Sequence, residues 1–250
     1  MRFENKVAII TGGGQGIGEA YAKGFAGEGA AVVIAELNES KGQAVANELV
    51  SAGKKAVFIK TDVSSPEDAA AAAEMARDTF GGVDILINNA AIFHGMTYTT
   101  LMDVDLDYYY AIMKVNMHSP LVMARAVVPL MEERGGGCIV NQSSTAAWKS
   151  IANYYGISKL GVQGLTICLA KELGPKNIRV NAIAPGPIDT EATRQVPKAM
   201  LEEVVAGLAL GRLGETDDIV NMAKYLVSDE GRWITGQIMR VDGGDVLLPA

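Results

Sequence analysis

A chain of 250 residues, 49% of them hydrophobic, carries enough apolar material for one large α/β core, and no compositional break divides it, so a single domain over 1–250 is expected. Its net charge of -7 excludes a general nucleic-acid surface, which needs clustered Lys and Arg, and no apolar stretch approaches the ~18 residues of a membrane span. Two histidines, His94 and His118, and two cysteines, Cys138 and Cys168, occur without ligand-like spacing, so no metal site is expected; the histidines read as structural and the cysteines as small core residues.

Met1 to Lys6 lead into the chain without the apolar region of a signal peptide, which predicts a cytoplasmic location. Val7-Ala8-Ile9-Ile10 then reads as a buried strand, and Thr11-Gly12-Gly13-Gly14-Gln15-Gly16-Ile17-Gly18 as a glycine turn opening a helix from Ile17 to Gly29. Glycines let the backbone approach a pyrophosphate, and the free N–H groups of a first helical turn point at it. Strand, turn and helix together predict a dinucleotide site formed by Gly12, Gln15, Gly16, Ile17 and Gly18.

A second strand, Ala31 to Ala35, ends at Glu36, whose carboxylate can accept both adenosine ribose hydroxyls and would repel a 2′-phosphate. Gln15 stands in the loop where a cation would favour NADP, and Leu37-Asn38 is uncharged, so NAD is the expected cofactor. Asn38 caps a helix to about Ala52, and Lys55 to Thr61 is the third strand. Asp62-Val63 follows it; the carboxylate either meets the adenine edge or serves as a turn residue. Ser65-Pro66 starts an alanine-rich helix.

Val83 to Ile87 is the fourth strand, and Asn88-Asn89-Ala90-Ala91 after it satisfies neighbouring backbone or lines the cofactor cleft. One long helix is expected from about Asp105 to Arg134, with Asn116 as either a buried hydrogen-bonding residue or a helix-kink residue. Gly137 to Asn141 is strand five, followed by Ser143-Ser144, and a helix opens near Tyr155 and runs through Leu173. Ile178 to Ala184 is strand six, ending in Pro185-Gly186-Pro187; residues 190–210 read as a mobile helical lid. Glu215 starts a helix to about Ser228, and Gln237 to Val241 is the last strand. Strands alternating with helices predict an α/β fold, a Rossmann-type doubly wound parallel sheet of about seven strands with helices on both faces.

Such a sheet binds ligands at the carboxyl ends of its strands, where every candidate polar group falls. Tyr155 and Lys159, four apart on a helix, face the same way, and a nearby ammonium favours the phenolate. Ser144 lies where its hydroxyl can hold a substrate oxygen. Phe93, Trp148, Tyr154, Val196 and Met200 are the loop candidates for an apolar substrate pocket, and Lys149 is the candidate partner for a substrate carboxylate.

Thr11-Gly12-x-x-x-Gly16-x-Gly18, Asp62-Val63, Asn88-Asn89-Ala90, Asn116, Ser144, Tyr155-x-x-x-Lys159 and Pro185-Gly186-x-x-x-Thr190 together resemble the short-chain dehydrogenase/reductase family over essentially the whole chain. The resemblance implies Tyr155 as general acid/base, Ser144 as holder of the reacting oxygen, and Lys159 as binder of the nicotinamide ribose. It also implies that Asn116 supports a water leading from Lys159, and that Ile188 and Thr190, beside Pro185 and Gly186, contact the nicotinamide end. A homotetramer built from long-helix pairs follows by the same resemblance. Ala91 stands where the family commonly has glycine, and the interval from Ser144 to Tyr155 is short, which leaves Ser143 as the alternative hydroxyl; Ser144 is preferred. The expected activity is NAD-dependent interconversion of a small apolar or cyclic secondary alcohol and its ketone. The alternatives are a 3-oxoacyl-thioester reductase and a non-catalytic NAD-binding sensor.

Overall fold

The computed structural model describes residues 1–93, 95–97, 99–149 and 153–247; His94, read above as structural, lies outside them. Among the described residues seven strands form one parallel sheet, ordered β3-β2-β1-β4-β5-β6-β7. They are β1 (Val7–Thr11), β2 (Ala31–Glu36), β3 (Ala56–Lys60), β4 (Ile85–Asn88), β5 (Gly137–Gln142), β6 (Ile178–Pro185) and β7 (Ile238–Val241). The period of two along each strand divides the core. Val7, Ile9, Val33, Leu86, Ile139 and Val180 pack on one face, and Ala8, Ile10, Val32, Ile34, Ile87 and Ile183 on the other.

Helices α3 (Pro66–Phe80), α5 (Ser119–Glu133) and α6 (Asn153–Leu173) cover the first face through Ala72, Ala76, Met123, Val127 and Leu169. Helices α1 (Gly16–Gly27), α2 (Glu39–Ser51) and α8 (Thr216–Val227) cover the second through Tyr21, Phe25, Val45, Leu49, Ile219 and Leu226. Caps set the starts, with the one at Asn38 as expected. Asn38, Ser65 and Asp105 each accept a backbone N–H of the first turn, and Glu215 with Asp218 forms a capping box.

The long helix departs from a uniform α-helix. It runs as α4 (Leu106–Met113), a π-helical turn at Lys114–His118, and α5, so Asn116 sits in a local widening of the helix. His118 in that turn is exposed. Residues 190–210 form a short 3-10 turn (Thr193–Gln195) and α7 (Lys198–Gly207), neither of which buries a residue. The cysteine reading needs correction. Cys168 is exposed on α6, and Cys138 is half-buried on β5, where burial pushes its thiol pKa up. Its helix face, not its apolar neighbours in sequence, decides Cys168's exposure. No helix of the described residues is long and apolar enough to cross a membrane.

Candidate active site

The strand order reverses between β1 and β4, and a cleft opens beyond the carboxyl ends of strands at such a point. A cavity of about 530 Å³ lies there. It is lined at one end by the glycine turn, Glu36 and Asp62, and at the other by Ser144, Tyr155 and Lys159.

Local hydrogen bonds build the glycine end. Thr11 Oγ1 donates to the Ile87 carbonyl at 3.2 Å and accepts from the backbone N–H groups of Asn89 (2.9 Å) and Ala90 (3.1 Å). Asn89 Nδ2 returns the contact to the carbonyls of Thr11 (3.0 Å) and Gly12 (3.2 Å). This stitches the glycine turn to the end of β4, leaving no room for side chains. A Cβ on Gly18 would stand 1.9 Å from the Gly12 oxygen, and one on Gly12, at φ 64°, would stand 2.9 Å from Ala90 Cα.

Asn88 and Asn141 belong to the scaffold beneath. Asn88 Nδ2 donates to Asn141 Oδ1 at 2.9 Å, and Asn141 Nδ2 donates to Thr166 Oγ1 at 2.9 Å, tying β4 to β5 and α6. Asn116 is a buried hydrogen-bonding residue. Its Oδ1 accepts from the Ile92 N–H at 2.7 Å and its Nδ2 donates to the Ile92 carbonyl at 3.0 Å, holding the strand-end segment that carries Ala90 to Phe93.

Both oxygens of Glu36 are engaged. Oε2 accepts the Gly14 N–H at 3.1 Å and Oε1 the Asn38 N–H at 2.9 Å, so the carboxylate is presented on the cavity wall in one orientation. Lys41 stands beside it, donating to Gln15 Oε1. The uncharged Leu37-Asn38 gave no hint of this cation, because helix α2 brings it back to the turn one helical step later. Asp62 takes the turn role. Its Oδ1 accepts the Ser64 hydroxyl at 2.7 Å and the Ser64 N–H at 2.9 Å, which hold its carboxyl below the usual range, while the residue still lines the cavity with Val63.

The other end rests on α6. Lys159, wholly buried, donates from Nζ to the Gln142 carbonyl at 2.9 Å, and its Nζ lies 5.6 Å from the centroid of the Tyr155 ring. Burial pulls its ammonium pKa down from 10.5 to about 8. Ser143 and Ser144 differ. Ser143 Oγ donates to the Lys159 carbonyl at 3.0 Å and accepts from Gln163 Nε2 at 3.1 Å, and its residue is 1% exposed. Ser144 is half-buried on the cavity wall, with Oγ accepting the Ala146 N–H at 3.1 Å. Gln142, also on the wall, accepts from the buried Tyr21 hydroxyl at 2.8 Å; nothing in its spacing singled it out.

Pro185, Gly186, Ile188 and Thr190 line the cavity after β6. A Cβ on Gly186 would meet the Asp242 backbone at 2.8 Å, so glycine is required by the close pass of the chain after β7. Thr190 faces Thr193 across a hydroxyl contact of 3.1 Å, and Thr193 Oγ1 donates to the Ile188 carbonyl at 2.7 Å.

Of the substrate candidates, Phe93 lines the cavity, its ring 5.3 Å from that of Tyr155. Trp148, Tyr154, Val196 and Met200 lie outside the lining. Tyr154 is 1% exposed among Met96, Val104, Ile112 and Met113, since its neighbour Tyr155 takes the cavity side of α6. Trp148 lies beneath the Arg240 guanidinium, 5.5 Å from its ring centroid, and Met200 is exposed on α7. Lys149 is paired with Asp245 at 2.5 Å, so its ammonium already has a carboxylate. Among the described residues no three His, Cys, Asp or Glu side chains converge as metal ligands.

The donor set fits a dinucleotide. Gly16, at φ 56°, leaves a gap beneath Thr190 that a Cβ would begin to fill, at 3.8 Å from Thr190 Cγ2. That gap lies at the start of α1, where free N–H groups can donate to a pyrophosphate. Acidic Glu36 at one end and cationic Lys159 at the other bracket it.

A family model described as enoyl-(acyl carrier protein) reductase matches residues 12–245. An uncharacterized oxidoreductase of Mycobacterium tuberculosis is 52% identical over 246 residues, covering 98% of this chain and 99% of the relative. A 3-alpha-(or 20-beta)-hydroxysteroid dehydrogenase of Mycobacterium bovis is 38% identical over 98% of this chain and 91% of its own length. The chain belongs to the short-chain dehydrogenase/reductase family. Its dehydrogenase/reductase fold superimposes on a solved 7 alpha-hydroxysteroid dehydrogenase, complexed with NADH and 7-oxo glycochenodeoxycholic acid, with a TM-score of 0.91. The two share 36% identity over 97% of this chain and 95% of that one. The protein is an oxidoreductase of this family that uses a nicotinamide cofactor.

Proposed function

We propose that the protein is a single-domain NAD-dependent dehydrogenase interconverting a small apolar or cyclic secondary alcohol and its ketone. One observation carries this reading: Ser144, Tyr155 and Lys159 line one end of a cavity whose other end presents the Glu36 carboxylate. When bound, NAD supplies the hydride acceptor. Gly12, Gln15, Gly16, Ile17 and Gly18 would hold its pyrophosphate half and Glu36 its adenosine ribose, with Asp62, Val63, Asn89 and Ala90 lining the same cleft. Pro185, Gly186, Ile188 and Thr190 would contact the nicotinamide end.

Tyr155 takes the substrate hydroxyl proton as general base, and Ser144 donates to the same oxygen. Lys159 is poised for this step. Its buried ammonium is costly alone, and a phenolate at Tyr155 restores it, so losing the Tyr155 proton and keeping the Lys159 proton favour each other. Asn116 supports the route by which the proton leaves Lys159, by holding Ile92 and with it the strand-end segment on the cavity wall.

The apolar wall supports the substrate class. Phe93 flanks Tyr155, and Ile92, Val115 and Pro187 add apolar surface. Hydroxysteroid dehydrogenases among the relatives point to a ring-bearing substrate. Residues 190–210 would close over it as a lid, since α7 buries nothing of its own. A homotetramer is the assembly this reading carries: Tyr110, Leu121, Leu160 and Ile167 stand exposed along α4, α5 and α6.

A 3-oxoacyl-thioester reductase is the second reading, favoured by a 3-oxoacyl-[acyl-carrier-protein] reductase among the relatives and by Lys41, a cation on the cavity wall that could meet a 2′-phosphate. The test is NADH formation from a panel of cyclic, aryl and aliphatic secondary alcohols, with NADP⁺ and Tyr155→Phe as comparisons. Turnover with NAD⁺ that the variant lacks supports the dehydrogenase. Turnover confined to NADPH and an acyl thioester overturns it in favour of the second reading.

A further inference from the structure

Ser144 is followed at once by a 3-10 turn, Thr145–Trp148, which it caps through the Ala146 N–H. Both ends of that turn are held by one carboxylate from the opposite end of the chain. Asp245 Oδ2 accepts the Thr145 hydroxyl at 2.7 Å, and Asp245 Oδ1 accepts the Lys149 ammonium at 2.5 Å. The Asp245 side chain is 10% exposed, so the pair is poorly screened, and the Thr145 residue is buried.

Asp245 is itself fixed. The Asp242 carboxylate accepts the N–H groups of Gly244 and Val246, both at 3.0 Å, so the residues on either side of Asp245 are pinned. Arg240, on β7, adds a third contact by covering Trp148. A 3-10 turn this short has few internal hydrogen bonds, so its place depends on what ties it down. Here the ties come from the segment that leaves β7.

We propose that Asp245 is a positioning residue for Ser144, clamping the turn so that the serine hydroxyl keeps its place on the cavity wall. The inference rests on the dehydrogenase reading only for Ser144's role; the clamp itself is judged separately. A shift of even an ångström in such a hydroxyl costs about 10- to 100-fold in rate, because the reacting oxygen must be held within hydrogen-bond reach.

The experiment compares Asp245→Ala, Asp245→Asn and Thr145→Val by hydrogen–deuterium exchange on the NADH-loaded protein and by steady-state kinetics. The Ala146 N–H, bonded to Ser144 Oγ, reports directly on the hydroxyl. Deuterium uptake across 143–149 should rise most in Asp245→Ala and less in Asp245→Asn, which keeps the Thr145 contact. In Asp245→Ala, kcat should fall at least about tenfold while NADH affinity stays within about twofold. In a Ser144→Ala background the same substitution should cost less than about threefold, because its effect passes through a group already removed.

Unchanged uptake at 143–149 in Asp245→Ala overturns the clamp, as does a fully additive loss in the Ser144→Ala background. If the wild type oxidises no alcohol, the dehydrogenase reading fails and the exchange data still decide whether Asp245 holds the turn. If Asp245→Ala does not fold, Asp245→Asn and Thr145→Val carry the same comparison.

Discussion

Lys159 Nζ, buried to 2% exposure, donates its hydrogen bond to the main-chain carbonyl of Gln142, 2.9 Å away. Burial lowers its pKa from 10.5 to about 8, so the charged form is disfavoured in the folded protein. Below pH 8 both folded and unfolded chains carry the proton, and the folded state bears the full cost. Between about pH 8 and 10.5 the folded state sheds the proton first, the unfolded chain binds more protons, and stability rises with pH. The burden at pH 7 is on the order of 3 kcal/mol, part of which the Gln142 contact offsets. Lys159→Met should therefore abolish turnover yet melt a few degrees higher at pH 7, with the advantage shrinking by pH 10. A lower melting temperature at pH 7, measured by calorimetry, would contradict this account.

Ser143 and Ser144 should separate stability from activity. Ser143→Ala strips a donor from the Lys159 carbonyl and an acceptor from Gln163, costing about 1–3 kcal/mol with kcat kept within a few-fold. Ser144→Ala removes a half-buried hydroxyl whose bond to the Ala146 N–H is local, so its melting temperature should hold while kcat falls about 100-fold. Paired thermal melts and kinetics check both. The reverse pattern would make Ser143 the reacting hydroxyl.

At the adenosine end, Glu36 and Lys41 pull in opposite directions. Glu36→Ala should cut the preference for NAD⁺ over NADP⁺ by about 100-fold, because the carboxylate that accepts ribose hydroxyls and repels a phosphate is gone. Lys41→Ala should raise that preference, since the ammonium beside Gln15 is the nearby cation on the cavity wall. Dissociation constants for both cofactors, from NADH and NADPH fluorescence, measure the two shifts. An unchanged ratio in Glu36→Ala would remove the basis for NAD.

Ile167 and Leu160 stand 54% exposed on the outer face of α6, where a solvated helix would carry polar groups. Ile167→Glu should shift the protein from tetramer to smaller species in sedimentation velocity, with its circular dichroism unchanged. A wild-type monomer at micromolar concentration would end the tetramer proposal.

What the sequence determined by itself was local. The glycine turn, the seven apolar strands, the cap at Asn38, the helix starts near Ser65 and Asp105, and the four-residue spacing of Tyr155 and Lys159 all act between near neighbours, so pattern alone carries them. Tertiary structure decided the rest. Ser143 and Ser144 are indistinguishable in a string, and only Lys159 and Gln163, 16 and 20 residues on, occupy one of them. Tyr154 reads as a pocket residue until α6 turns it into the Met96 cluster, and the π-turn around Asn116 is invisible in a periodicity assumed uniform. Lys149 reads as a free cation until Asp245 arrives from 96 residues away. Side-chain partnerships at that separation depend on how the sheet closes the distance between strand ends, a quantity that spacing along the chain does not contain.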